Sequence, residues 1–187
     1  MPSAAAIIAN YVHAKDGNRP FLLSDVFTPD AGLEIVVKTG TITFPPLSEG
    51  LPAITDVVAR RFNQTYENIY TFCLAAPPQR SVPHYSCSWL VGMSEKATRA
   101  VRVGYGRYDW SFETIAPGLA TRLVITVEEM QTLQADCLGP VMGWLSALPY
   151  PWCPVELAFE HAPKDETLKP VMQHFQRQDD GLKYSTD

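Results

Sequence analysis

The chain has 187 residues, 46% of them hydrophobic and 19% charged, a mixture that predicts one soluble globular domain and excludes a disordered or fibrous chain. Fifteen Lys and Arg against 20 Asp and Glu leave a net charge of −5 with no basic stripe, which argues against a nucleic-acid partner.

The opening MPSAAAIIANYVHAK has no early positive charge, and its apolar run is too short for a signal peptide or a membrane span. A cytoplasmic protein with no membrane partner is expected. Ser3 can cap a helix over Ala4 to Lys15, with Ile7, Ile8, Tyr11 and Val12 on one face. Asp16-Gly17-Asn18 ends it. Pro20 suits the first turn of a second helix, Phe21 to Phe27, which Thr28-Pro29-Asp30 breaks. Leu33 to Lys38 reads as a strand, followed by a turn at Thr39-Gly40, a short partner over Thr41 to Phe44, and a loop over Leu47 to Gly50. A third helix spans Pro52 to Asn63, with Ile54, Val57, Val58 and Phe62 inward and the adjacent Arg60 and Arg61 on a solvated face.

Four long strands follow. Tyr66 to Ala75 and Pro83 to Met93 flank a proline-rich loop, and Ala97 to Gln134 forms a hairpin turning at Ala116-Pro117-Gly118. In the hairpin's first strand Val101, Val103 and Tyr105 alternate with polar residues or glycine; beyond Gly106 the apolar set is Tyr108, Trp110 and Phe112. Strand side chains have period two, so this change of parity predicts an extra residue, a bulge, within Gly104 to Arg107, with the two glycines permitting the kink. Tyr108, Trp110 and Phe112 together with Tyr85 and Trp89 exceed what one buried face needs, which predicts a homodimer through the open face of the sheet. The order of elements is that of an α+β fold: a curved mixed or antiparallel sheet forming a cone, closed by three N-terminal helices.

After Gln134 the chain changes character. A short helix is expected over Gly139 to Leu148, irregular structure at LPYPWCP, and a last helix over Lys164 to Gln178. Trp144, Tyr150 and Trp152 lie in a stretch too apolar for a free tail. The expected organisation is a domain over residues 1–134 and an extension over residues 135–187 packed on it, closing either the pocket mouth, the preferred place, or the sheet's open face.

The motif ANYVHAKDGNRPFLLSDVFTPDAGLEI, the stretch GLPAITDVVARRF and the late strand RLVITVEEMQTL resemble the SnoaL-like and ketosteroid-isomerase-like branch of the nuclear transport factor 2-like superfamily. The resemblance covers Ser3 to Gln134. It implies an apolar pocket for a small hydrophobic ligand, dimerisation through the sheet, and an isomerase, cyclase or dehydratase working without a cofactor on a small carbonyl compound. A non-catalytic ligand-binding or dimerisation protein of the same fold is the alternative.

The resemblance also carries residue roles. Tyr11 matches the tyrosine that donates to the oxyanion, and Glu128 is the nearest match to the protonated acid on the last strand. The family's general-base aspartate falls on Ile35, which cannot take a proton. His84 and Asp109 are the other candidates for proton transfer. The first heads a strand beside Ser86 and Ser88, and the second lies just past the expected bulge. Each has a plain structural alternative: a core phenol for Tyr11, solvent-facing strand residues for the others. No metal is expected, because His13, His84, His161 and His174 show no ligand spacing. Cys73, Cys87, Cys137 and Cys153 read as reduced structural thiols.

Overall fold

The computed structural model describes residues 2–175, apart from Ser81 and Pro117. The end of the expected last helix, past residue 175, and the proline of the expected hairpin turn lie outside the described residues.

Helix α1 (Ala4–Asp16) starts where Ser3 accepts a 3.2 Å hydrogen bond from the Ala6 amide. Its buried face carries Ile7, Ile8, Tyr11 and Val12. The expected second helix is a 3-10 turn over Pro20–Asp25, and strand β1 (Phe27–Val37) begins at once. Thr28-Pro29-Asp30 is therefore strand, not a break. Proline is tolerated there because the Phe27–Gly32 stretch carries a register shift against its neighbour. The partner expected at Thr41 to Phe44 is not a strand. The antiparallel partner of β1 is β2 (Leu47–Glu49), the segment read as loop from sequence. Helix α2 (Leu51–Thr55) runs through a π-helical turn (Asp56–Arg61) into α3 (Phe62–Thr65).

Four strands follow: β3 (Tyr66–Cys73), β4 (His84–Glu95), β5 (Val101–Phe112) and β6 (Ala120–Leu133). The sheet has the order β2-β1-β6-β5-β4-β3, with β1 parallel to β6 and the other pairs antiparallel. The sheet is curved and open, and the N-terminal helices lie on its inner face. The α+β architecture is as expected.

The parity change in β5 has a different cause from the one expected. Pairing of β5 with β4 is regular from Ser94↔Val101 to His84↔Ser111, so β5 carries no extra residue. The even-numbered positions face inward throughout: Gly104, Gly106, Tyr108, Trp110 and Phe112. Val101, Val103 and Tyr105 face outward, where the C-terminal segment covers them. The ladder does break between Tyr105 and Gly106, but the unpaired residue is Glu128 of β6. The two glycines are there to make room. A Cβ on Gly106 would meet the Trp89 ring, and one on Gly104 would meet Met130.

Two apolar clusters flank the sheet. The inner one joins α1, the α2–α3 region and the concave face, including Tyr85, Trp89, Tyr108, Trp110 and Phe112. All five aromatics that suggested a dimer surface thus point to one side. The outer cluster joins Phe72, Leu90, Val101, Val103 and Leu133 to helices α4 (Leu138–Ser146) and α5 (Val155–Glu160) and to the helical residues 169–175. Trp144 packs there, its indole N–H donating to the Ala158 carbonyl at 2.7 Å. Residues 151–153 add to the free edge of β3: Cys73 N donates to Pro151 O, and Cys153 N to Cys73 O. No helix among the described residues is long and apolar enough to cross a membrane.

Candidate functional site

Between the helices and the concave face lies a cavity of about 60 Å³. That holds a few waters or a ligand of a few heavy atoms, and is far below the roughly 300 Å³ of a drug-sized pocket. Its wall is mainly aliphatic and aromatic: Ile35, Val57, Val58, Phe62, Ile125 and Val127 are typical. Val57 and Val58, adjacent on the π-helical turn, both line the cavity. The π-helical turn that carries them is held by Asn63, whose amide donates to Ala59 O at 2.9 Å and to Lys15 O at 2.7 Å.

Five side chains with polar atoms interrupt this wall, among them Tyr108 of β5. Tyr11 and Lys15 come from one face of α1, four residues apart. Thr71 comes from β3 and Trp89 from β4. Tyr11 is wholly buried among aromatic rings, edge-on to Phe27, Tyr108 and Trp110 with centroids 5.2–6.1 Å away. Its hydroxyl makes no hydrogen bond of good geometry, although the Tyr108 phenol is its polar neighbour in the cavity wall, and the Trp89 indole N–H makes none either. Burial pushes the Tyr11 phenol well above its ordinary value, so it is neutral and a donor at any working pH.

The Lys15 ammonium is handled differently. It donates to Asp16 Oδ1 at 2.5 Å and Thr71 Oγ1 at 2.7 Å, and sits 4.8 Å from the centroid of the Phe62 ring. Asp16 Oδ2 accepts from the Thr71 amide at 2.6 Å and from the Tyr150 hydroxyl at 3.0 Å, while Oδ1 also accepts from Thr71 Oγ1 at 2.9 Å. Both side chains of the ion pair are under 10% exposed. A buried pair this fully hydrogen-bonded is tolerated where an unpaired charge would not be.

Of the four candidate catalytic residues, the structure brings Tyr11 to the cavity and leaves Glu128, His84 and Asp109 outside its lining. Ile35, to which the resemblance assigned the position of a general base, lines the cavity as an apolar residue. Glu128 is the bulged residue of β6, paired with Lys38 at 2.9 Å and outside the cavity lining. His84 and Asp109 stand on the outer face of the sheet. His84 Nδ1 lies 3.2 Å from Ser111 Oγ, and Asp109 binds Arg107 and the Ser86 hydroxyl. Their strand register places them with Ser86 and Ser111, opposite the inward Tyr108 and Trp110.

Sequence reasoning missed Lys15, Asp16, Thr71 and the donor role of Trp89. Lys15 was detectable, since it follows Tyr11 by one helical turn. All four cysteines are free thiols. Among the described residues, no group of three or more His, Cys, Asp or Glu could hold a metal ion.

No protein-family model matches the chain, and no curated protein is significantly similar to it. Solved structures do share its fold. A nuclear transport factor 2-like superfamily protein from Salmonella enterica serovar Typhimurium matches at TM-score 0.54 and 14% identity, over 66% of this chain and 87% of its own. A hexachlorocyclohexane dehydrochlorinase from Novosphingobium barchaimii matches at 0.50 and 12%, over 68% and 85%. A ketosteroid isomerase-like protein from Erwinia carotovora atroseptica matches at 0.50 and 16%, over 66% and 92%. The fold is therefore nuclear transport factor 2-like, and about a third of this chain lies outside the matches.

Proposed function

We propose that the chain is a small-molecule pocket protein whose cavity takes a small hydrophobic carbonyl compound, with Tyr11 donating to the carbonyl oxygen. The observation that carries this reading is the Tyr11 hydroxyl, wholly buried at the cavity and without a well-formed hydrogen bond, its one polar neighbour there being the Tyr108 phenol. A buried donor left unpaired costs about 1–3 kcal/mol. A ligand oxygen at that point removes the cost, and an oxygen gaining negative charge does so more strongly in an apolar site. The idle Trp89 N–H and the Lys15 ammonium make the same wall rich in donors.

Within this reading, cofactor-free isomerase, cyclase or dehydratase chemistry would use Tyr11 to stabilise an enolate oxygen. It also needs a base. Among the described residues no carboxylate lines the cavity, and that observation favours binding without turnover as the second reading.

Two measurements on Tyr11→Phe test the proposal, with acetone as a probe small enough for the cavity. Removing an orphaned hydroxyl should raise the unliganded protein's stability by about 1 kcal/mol. Acetone affinity, followed by methyl shifts of Ile35 and Ile125, should fall about tenfold. A variant that binds acetone as the parent does would refute the donor role. Accelerated exchange of acetone's α-protons in D2O would select the enzyme reading over the binding one.

A further inference from the structure

Asp16 belongs to two spaces. Its neighbour Lys15 lines the apolar cavity, while Asp16 itself lines a more open cleft of about 500 Å³ with Asn68, Tyr70, Met142 and Ser146. The cleft lies where β3 meets α4, so one wall belongs to the domain and the other to the C-terminal segment. The Lys15–Asp16 pair is thus the partition between cleft and cavity. The Tyr150 hydroxyl of the C-terminal segment reaches this partition, 3.0 Å from Asp16 Oδ2. The ring is held edge-on by His13, Tyr70 and Phe72 at 5.2–6.1 Å. Anchoring of the next residues along β3 fixes Tyr150 further.

We infer that Tyr150 is a positioning residue for the cavity: through Asp16 it holds the Lys15 ammonium in the cavity wall, and so biases the site toward oxygen-bearing ligands. Lys15 has three donors, of which Asp16 and Thr71 take two. Its geometry depends on where the Asp16 carboxylate sits. The carboxylate is fixed from β3 by the Thr71 amide and hydroxyl, and from the C-terminal segment by Tyr150. Without Tyr150, Asp16 Oδ2 loses its contact on the cleft side. The carboxylate is then free to turn toward water in the cleft and draw the ammonium with it. The preference for oxygen-bearing ligands rests on the reading of the cavity given above; the positioning of Lys15 does not.

Tyr150→Phe tests both, because it keeps the ring contacts and deletes only the hydroxyl. The positioning is read from the 15Nζ and 1Hζ signals of the Lys15 ammonium, with the Lys38 ammonium, paired to Glu128 on the far side of the sheet, as internal control. Lys15 should shift and exchange faster with water in the variant, while Lys38 stays put. An unmoved Lys15 signal overturns the inference. Ligand preference is read by titrating full-length protein with acetone and, separately, with xenon, which needs no hydrogen bond. The variant should bind acetone about threefold more weakly, the loss of a fraction of one hydrogen bond, with xenon affinity unchanged. Equal changes for both probes would mean a general loosening and would overturn the specificity claim. If acetone fails to enter the parent cavity, the ligand reading is wrong, and the ammonium signals alone decide the positioning.

Discussion

Gly106 and Gly92 both sit where a large side chain crosses the sheet, and an added methyl group would meet different obstacles at each. At Gly106 a Cβ would overlap the Thr126 carbonyl oxygen and the ring of Trp89 at 2.5 Å, so backbone and a cavity-wall residue must both move. At Gly92 it would overlap the end of the Leu145 side chain, which can rotate away. Gly106→Ala should therefore cost about 3 kcal/mol, and Gly92→Ala about 1 kcal/mol, in denaturant unfolding. Equal costs would refute the assignment of a rigid neighbour to one and a flexible neighbour to the other. Single residues were legible from sequence where local pattern sufficed. Tyr11 was, because Ile7, Ile8 and Val12 mark its helix face as buried. Lys15 was legible only in its helix position, one turn after Tyr11; its burial with Asp16 was not, since adjacent opposite charges at a helix end read as solvated. What buries them is Thr71, 55 residues along the chain, and Tyr150, 134 residues from Asp16.

At the scale of elements, alternation in β5 was read correctly as residues and wrongly as geometry. A switch in apolar parity has two physical causes: an inserted residue, or a change in which face is covered. The sequence of one strand cannot distinguish them. In β5 the outward Val101, Val103 and Tyr105 are apolar because helices from residues 138–175 lie over them, and Arg107, Asp109 and Ser111 are polar, with no described helix packed over them. The real insertion, Glu128, sits in a strand where Val127 and Met130 both face the cavity across it. The β4–β5 link carries a second device. Glu95, at the end of β4, accepts from Arg102 Nε at 3.0 Å and from Thr98 Oγ1 at 2.6 Å; Arg102 in turn donates to Thr41 O and Thr132 Oγ1. The Thr98 and Arg102 hydrogen bonds hold the Glu95 carboxyl below its ordinary value of 4.5. The unfolded chain therefore takes up this proton first as pH falls. The contribution is complete above pH 4.5 and is lost as pH falls through the lowered folded value. Glu95→Gln should cost about 1 kcal/mol at neutral pH and flatten the acid limb of the stability curve. A variant whose stability falls as steeply as the parent's below pH 4.5 would show that other carboxylates govern that limb.

For the whole molecule, the consequential feature is the segment after Gln134, whose described residues cover the outer face around Phe72, Leu90, Val101, Val103 and Leu133. Its apolar content was legible from composition, but its place was not, because both candidate surfaces need apolar cover. The preferred place, the pocket mouth, is not where Trp144 lies. The aromatic argument for a homodimer through the sheet loses its ground here. Tyr85, Trp89, Tyr108, Trp110 and Phe112 all face inward, and the part of the outer face that no described helix covers presents Ser86, Arg107, Asp109 and Arg122. Phe72, Leu90, Val101, Val103 and Leu133 are buried on that outer face by the C-terminal helices. Exposing them costs on the order of 10 kcal/mol, at about 1.5–3 kcal/mol for each side chain. That is comparable with the whole stability of a typical domain, about 5–15 kcal/mol. A chain ended after Gln134 should therefore fail to persist as a folded monomer. Light scattering should show it associating through the bared face, with near-ultraviolet circular dichroism weakened. The full chain, with the same face covered, should keep a constant scattering mass on dilution through the micromolar range. A shortened chain that stays monomeric and melts where the full chain does would mean that the C-terminal helices add nothing to the core they appose.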